Sequence, residues 1–291
     1  MLPEIVVMGA TSVVGQELIS RLLHTGVTPC IAVRNQEKAE RLFNHQPLMY
    51  RPVDFTNDTS IEEALKNSRI IFLIPPATSQ MAAYVKNIVK AARKKRIDHI
   101  VFLSIIGASI EASGAFGRWY GDAEMVIKKS EIPYTILRSN CLMQNLVKYL
   151  QLQSSMIALP FSGGAVSFID ARDVAIVGAD ILLPGAHYQE ETFELTGPAA
   201  ITLFEVAEIL SMVLGKQIGY VSVSVDTAAY GLEGKISESQ IDAVLEYFRF
   251  LGQGGGAIVT DSVEKIGGIR PVTFIDFVRD YAQKIRYLTT W

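Results

Sequence analysis

Short apolar runs alternate with amphipathic stretches through the first half of the chain. Runs at Ile5–Met8, Cys30–Val33, Met49–Val53, Ile70–Ile74, Ile100–Leu103 and Tyr134–Leu137 predict strands. Several are apolar at every position, as in parallel strands covered on both faces. Between them, Leu18, Ile19, Leu22 and Leu23 share one helical face before Gly26, and Met81, Tyr84, Val85, Ile88, Val89 and Ala92 form a second stripe. Ser60-Ile-Glu-Glu63 has capping-box spacing and predicts a short helix through Ala64 and Leu65. Strand–helix alternation of this kind implies right-handed crossovers and a doubly wound sheet.

The rhythm changes after about residue 150. Val166–Asp170, Thr192–Leu195 and Val221–Val225 read as further strands, while Thr202-Leu-Phe-Glu205 caps a helix running to Leu214. Helical patterns then dominate, through Tyr247–Leu251 and Phe274–Ile285. The expected fold is α/β: a Rossmann-type doubly wound parallel sheet over residues 1–150, with a smaller, mostly helical C-terminal lobe over 151–291. Residues 166–170 and 192–195 are expected to return to the sheet. Gly252-Gln-Gly-Gly-Gly256 lacks the Lys-Ser/Thr ending of a phosphate loop and reads as a plain turn.

Composition narrows the function. Of 291 residues, 49% are hydrophobic and 20% charged, enough apolar material for a large core. The longest apolar runs fall far short of the roughly 20 residues that span a bilayer, so no membrane is expected. The first strand runs straight into Gly9 with no basic residue before Arg21, which reads as part of the fold and not as a leader. Lys and Arg number 27 against 30 Asp and Glu, a net charge of −3 that makes nucleic acid a poor partner. The basic run Arg93–Arg96 ends an amphipathic helix, where cations complement the dipole. Cys30 and Cys141 form no disulfide framework, and His24, His45, His99 and His187 show no metal-ligand spacing. A cytoplasmic protein, monomeric or homodimeric, acting on a small-molecule substrate without a metal is the expectation.

Gly9-Ala-Thr-Ser-Val-Val-Gly15 stands between the first strand and the first helix, where a dinucleotide fingerprint belongs. Gly9 suits the tight turn and Gly15 the close approach of helix and strand. Ser12 takes the small middle position, and Thr11, Val13 and Val14 complete the segment at a helix N-terminus that favours phosphate. Nineteen residues beyond Gly15 comes Arg34, where an NAD site commonly has a carboxylate. With Lys38 as a helper, Arg34 suits a 2′-phosphate, so NADP is the expected cofactor, NADPH over NADH. Asp54 and Phe55 follow the third strand towards the adenine edge. Ile74, Pro75 and Pro76 follow the fourth and would lie along the cofactor.

These segments, with Val101-Phe-Leu-Ser-Ile-Ile-Gly-Ala108, Ile132-Pro-Tyr-Thr-Ile-Leu-Arg138, Met143-Gln-Asn145, Phe168-Ile-Asp-Ala-Arg-Asp-Val-Ala175, Leu195-Thr-Gly-Pro198 and Phe204-Glu-Val-Ala-Glu-Ile-Leu210, give the chain an almost end-to-end resemblance. It resembles the NmrA-like group of atypical short-chain dehydrogenases, which includes NAD(P)H quinone reductases, triphenylmethane-dye reductases and iminium reductases. The departures are Ser12 where the family usually has glycine, Arg138-Ser139 for its Arg-Pro, and Trp119-Tyr120-Gly-Asp-Ala-Glu124 where many members carry a histidine followed closely by glutamate.

The resemblance implies a site. Tyr120 aligns with the tyrosine of the Tyr-x-x-x-Lys pair of ordinary short-chain dehydrogenases, and Ser104 lies in their serine region. Glu124 stands at the lysine position, and a carboxylate there is expected to raise the tyrosine pKa. Tyr120 is then either a neutral proton or hydrogen-bond donor or an aromatic wall beside Trp119. Cys141, Leu142, Met143, Phe161, Phe168, Tyr230 and Phe248 are candidate pocket walls, each also a candidate for plain core packing. Asp170, Arg172 and Asp173 read as an ion-paired cap. The implied activity is NADPH-dependent hydride transfer to an electrophilic, largely apolar molecule such as a quinone, iminium or dye, which needs little acid–base help. The alternatives are a non-catalytic NAD(P)-binding redox sensor and an isomerase or cyclase that reuses the cleft.

Overall fold

In the computed structural model, which describes residues 4–288 apart from 45, 47, 152–154, 162, 184, 186 and 234–236, strands and helices alternate from the start. In chain order these are β1 (Ile5–Met8), α1 (Val13–His24), β2 (Cys30–Val33), α2 (Gln36–Leu42), β3 (Met49–Pro52), α3 (Asp58–Ala64), β4 (Ile70–Leu73), α4 (Met81–Lys95), β5 (His99–Ile105), α5 (Ala115–Lys128) and β6 (Tyr134–Ser139). Then come α6 (Met143–Tyr149), β7 (Leu150–Gln151), β8 (Met156–Leu159), α7 (Ala171–Leu182), β9 (Glu191–Leu195), α8 (Leu203–Leu214) and β10 (Gly219–Ser222). Four helices close the chain: α9 (Val225–Leu232), α10 (Glu238–Phe250), α11 (Ser262–Gly267) and α12 (Phe274–Leu288).

Seven parallel strands lie in the order β3-β2-β1-β4-β5-β6-β9. Alternate residues of each strand enter opposite cores. Val7, Ile31, Phe72, Val101 and Leu137 pack with α1 and α7, and Met8, Ala32, Leu73, Phe102 and Ile136 pack with α3, α4 and α5. Burial on both faces is why β1, β2 and β4 are apolar at every position, while the edge strands β3 and β9 carry Arg51, Glu191 and Glu194. The strand order reverses between β1 and β4, and a doubly wound sheet opens a ligand crevice outside the carboxyl ends of such a pair. A third core, built from α6, α8, α10, α12 and the small sheet β10-β8-β7, covers that end.

Four local readings are corrected. Val166–Asp170 is no strand: Val166 and Ile169 make isolated bridges to Ile201 and Leu142, the Ser167 hydroxyl bonds the Gly256 carbonyl at 3.3 Å, and Asp170 caps α7. The third strand of the small sheet is Gly219–Ser222, because Ser224 caps a helix beginning at Val225. Helix α3 starts one turn earlier than the capping-box spacing implies. Asn57 accepts the Ser60 amide at 3.0 Å, and the Ser60 hydroxyl instead accepts the Asp54 amide at 2.9 Å. Gly252–Gly256 is more than a turn. Helix α10 runs on there in a widened turn from Leu251 and breaks in a kink at Gly254, whose φ of +94° is not helical.

Candidate functional site

The β1–α1 turn is shaped by close approach. Gly9 sits at φ +88°, and a Cβ there would come within 2.3 Å of the Ile74 carbonyl oxygen. A Cβ on Gly15 would come within 2.5 Å of the Gly9 carbonyl oxygen. Both glycines thus seat helix against strand from beneath, while Thr11, Ser12, Val13 and Val14 form the surface of the crevice. Ser12 has ordinary extended backbone (φ −72°, ψ 164°) and is the helix N-cap, its Oγ accepting the Gly15 amide at 3.1 Å. The amides of Val13 and Val14, at the first positions of the helix, have no intrahelical acceptor by position. A cradle closed by glycine, with free amides and the positive end of a 12-residue helix above it, fits the pyrophosphate of a dinucleotide.

The crevice continues as a cleft of about 430 Å³. Ile74 after β4 and Leu103–Ile105 of β5 make its floor, and Phe116 and Tyr120 of α5 one wall. Ser139–Leu142 after β6 and Asn145 make the other, and Val244, Tyr247 and Phe248 of α10 close it from above. Phe116 is the hub of an aromatic cluster, with ring centroids 5.4 Å from Tyr120, 5.2 Å from Tyr247 and 6.2 Å from Trp119. Asn140 is fixed by giving its Nδ2 to the Ser167 hydroxyl (2.7 Å) and the Gly256 carbonyl (2.9 Å). The glycine coil after α10 therefore anchors the far wall of the cleft. Helix α10 also reaches the opposite rim, where Gln240 Nε2 donates to the Ala77 carbonyl at 2.9 Å.

Beneath Tyr120 lies a buried charge network. Ser104 and Arg138 are register neighbours on β5 and β6, so both side chains meet α5 on the same face of the sheet. Glu124, one turn beyond Tyr120, takes two bonds from Arg138, Nε to Oε1 at 2.9 Å and Nη2 to Oε2 at 2.6 Å. It takes a third from the Ser104 hydroxyl at 2.6 Å. Burial pushes the Tyr120 phenol up to about 12. The direction matches the sequence reading and the cause does not: desolvation raises it, while Glu124 is engaged with Arg138. Burial likewise pushes the Cys141 thiol up to about 12 and the Tyr247 phenol well above its ordinary range. The cleft thus holds neutral donors and aromatic faces and no poised base.

The structure brings together Thr11, Ser12, Val13, Val14, Ile74, Ser104, Tyr120, Cys141, Leu142 and Phe248. Other sequence candidates lie elsewhere. Arg34 and Asp54 are exposed at the carboxyl ends of β2 and β3. Hydrogen bonds from the Thr56 amide (2.9 Å) and hydroxyl (2.7 Å) hold the Asp54 carboxyl below its usual range, helped by the Arg34 charge. Lys38 is exposed on α2, and Pro75 and Pro76 continue the chain from Ile74. Phe55 is buried against Tyr84 at 6.0 Å and is not among the residues lining the cleft. Trp119 packs on Phe116 outside the cleft lining. Met143, Phe161 and Phe168 belong to the third core, Phe161 against Phe248 (5.5 Å) and Phe168 against Phe274 (6.3 Å). Tyr230 is 77% exposed, because the face of α9 that packs inwards carries Ala228 and Ala229. Sequence reasoning did not assign Leu103, Ile105, Phe116, Ser139, Asn140, Asn145, Val244 and Tyr247 to the site. The i, i+4 pair Phe116/Tyr120 and the i, i+3, i+4 stripe Val244/Tyr247/Phe248 were signals available for three of them.

A crevice at the strand-order reversal, lined by a glycine-seated turn, is that of a dinucleotide-binding α/β protein. The chain belongs to the NAD(P)H-binding family, whose model matches residues 9–183. It is 29% identical over 282 residues to the NAD(P)H azoreductase of Xenophilus azovorans, covering 96% of this chain and 98% of that one. The Escherichia coli NADPH-dependent quinone oxidoreductase complexed with NADPH superposes with a TM-score of 0.84 at 23% identity, over 98% of this chain and 99% of that one. NmrA, a negative transcriptional regulator in complex with NADP, superposes with a TM-score of 0.82 at 15% identity, over 100% of this chain and 98% of that one.

Proposed function

We propose that this protein is an NAD(P)H-dependent reductase of flat, electrophilic, largely apolar molecules, with quinones and azo compounds as the first classes, and that it prefers NADPH. The observation that carries this reading is the cleft. Aromatic rings line it, its Tyr120 phenol stays neutral, and the nearby Glu124 carboxylate, outside the lining, is locked to an arginine. Such a site suits acceptors that are electrophilic already and suits simple ketones poorly.

The bound dinucleotide supplies the hydride. This chain does the rest: the Thr11–Val14 turn holds the phosphates through its amides, and Arg34 at the end of β2 takes the 2′-phosphate. Phe116, Tyr120 and Tyr247 orient the acceptor and exclude water. The neutral Tyr120 phenol donates a hydrogen bond to the acceptor heteroatom as it gains charge, and the balancing proton comes from water. Matching names among the relatives support the reading, including the azoreductase and the quinone oxidoreductase.

The test is NADPH consumption with a quinone, an azo dye and a simple ketone, alongside NADH. Acceptor-dependent oxidation with the first two and none with the ketone is expected. Tight NADPH binding without turnover would instead favour a dinucleotide sensor. Conversion of a substrate by protein stripped of dinucleotide would favour an isomerase or cyclase.

A further inference from the structure

A second cavity, of about 330 Å³, adjoins the cleft between the segment that follows β5 and helix α10. Among the described residues, Tyr247 alone lines both spaces. Its ring has one weak polar tether. The Tyr247 hydroxyl donates to the Ile106 carbonyl at 3.3 Å, long for a hydroxyl donor. The ring also packs on two others, Phe116 at 5.2 Å and Phe250 at 5.9 Å, the latter nearly parallel with 23° between planes.

Sites for compact organic ligands run roughly 300–1,000 Å³. The first cleft must also admit the nicotinamide end of a dinucleotide, which leaves room for little more than one substrate ring. With the second cavity the site falls well inside that range. We propose that the two cavities are halves of one substrate site, and that the preferred acceptor has two linked rings: the reducible group lies in the first cleft and the distal ring past Tyr247. This deepens the reductase reading and rests on it for the word acceptor.

The second half also has a charge preference. Among the described residues its lining carries Glu111 and Glu246 and no basic side chain. The Arg118 guanidinium is turned onto the Ala112 and Ser113 carbonyls. Glu246 is fixed in place by accepting the Ala115 amide at 2.6 Å. A distal ring that is neutral or cationic is accepted there, and one bearing a sulfonate or carboxylate is repelled.

The experiment uses the whole protein with a one-ring quinone and three aryl-substituted quinones whose distal ring is neutral, trimethylammonium-bearing or sulfonated. Dimethyl ethers of the matching hydroquinones, which cannot accept hydride, are titrated by calorimetry in parallel with NADP present. The wild type is expected to favour the cationic over the sulfonated ring by about tenfold in kcat/KM and in binding of the ethers, the scale of two partly solvated charge contacts. Ser113→Phe, which fills the second cavity, is expected to lower the ratio of two-ring to one-ring turnover about tenfold. Glu111→Gln, at an exposed position, narrows the charge preference about threefold. An unchanged ring ratio in Ser113→Phe, or wild-type indifference to distal charge, overturns the two-part site even if every quinone is reduced. Absence of turnover with the charge order kept in ether binding overturns the reductase reading and leaves the two-part site standing.

Discussion

Glu124→Ala removes, in one step, the acceptor of two guanidinium bonds and of the Ser104 hydroxyl, from a place almost closed to water. The side chain of Glu124 is 3% exposed and that of Arg138 23%. Breaking a buried pair by deleting one partner costs about 3–5 kcal/mol, because the other charge stays behind. Arg138 keeps a path to solvent, which puts its share at the lower end, while the stranded Ser104 hydroxyl, itself fully buried, adds about 1–2 kcal/mol. A total of about 4 kcal/mol is expected in urea unfolding with the denaturant slope unchanged. The pair as a whole should contribute far less than its halves. Glu124→Met combined with Arg138→Met fills the same space without charge and should recover to within about 1–2 kcal/mol of wild type. A single-variant cost below about 1 kcal/mol would refute the reasoning, as would a double variant no more stable than Glu124→Ala.

Three further outcomes follow from the same kind of accounting. Arg34→Ala should weaken NADPH about 10- to 100-fold, the worth of a charge-assisted phosphate contact, and leave NADH binding unchanged in calorimetry; equal losses contradict the 2′-phosphate role. Ser12→Ala should cost about 1 kcal/mol in thermal unfolding and Ser12→Gly only a few tenths, since glycine still caps well. If Ser12→Gly also weakens NADPH, the hydroxyl itself meets the phosphates instead of serving the Gly15 amide. Asp173 is buried, with Oδ2 accepting the Val272 amide at 2.9 Å and Oδ1 unpartnered, and desolvation raises its carboxyl to about 6. The Val272 amide and Arg172 oppose that shift and Asp170 adds to it. The folded protein holds this proton where the unfolded chain has lost it, so stability falls as pH rises from about 4 to about 6, by up to about 3 kcal/mol, and then levels. Asp173→Asn should flatten that stretch of the profile; an identical slope in the variant rules the assignment out.

What could be read from the chain depended on range. The central strands β1, β2 and β4 are apolar because each is covered twice, and that signal is written in the strand itself. The turn at Gly9–Gly15 was equally plain, since its glycines answer to neighbours a few residues away or to β4 beside it. The capping of α3 failed because Asn57 and Ser60 both offer an oxygen at helix-start spacing, and only the path of the chain from β3 decides that Ser60 is taken by Asp54. Val166–Asp170 looks like a strand by composition, yet its partners are Gly256 and Ile201, which no local pattern reveals. Glu124 is the sharpest case. Its nearest candidate by helix spacing is Tyr120, but the β5–β6 register delivers Ser104 and Arg138 to it, and that register is a fact about two other segments. Phe55 was assigned to the ligand by its place after β3 and Tyr230 by residue type, and packing sends one inwards and the other to solvent.

The last strand of the main sheet, β9, is supplied only after the chain has left the sheet, built the β7–β8 hairpin and returned along α7. During synthesis at about 5–20 residues per second, β6 emerges roughly 50 residues ahead of the strand that covers it. For several seconds its amides and carbonyls form an open edge on an otherwise assembled sheet, the kind of edge that recruits strands from neighbouring nascent chains. A fragment ending near residue 150 would keep that edge for its lifetime, and translation speed through the intervening stretch becomes a determinant of how much of the protein reaches the native state.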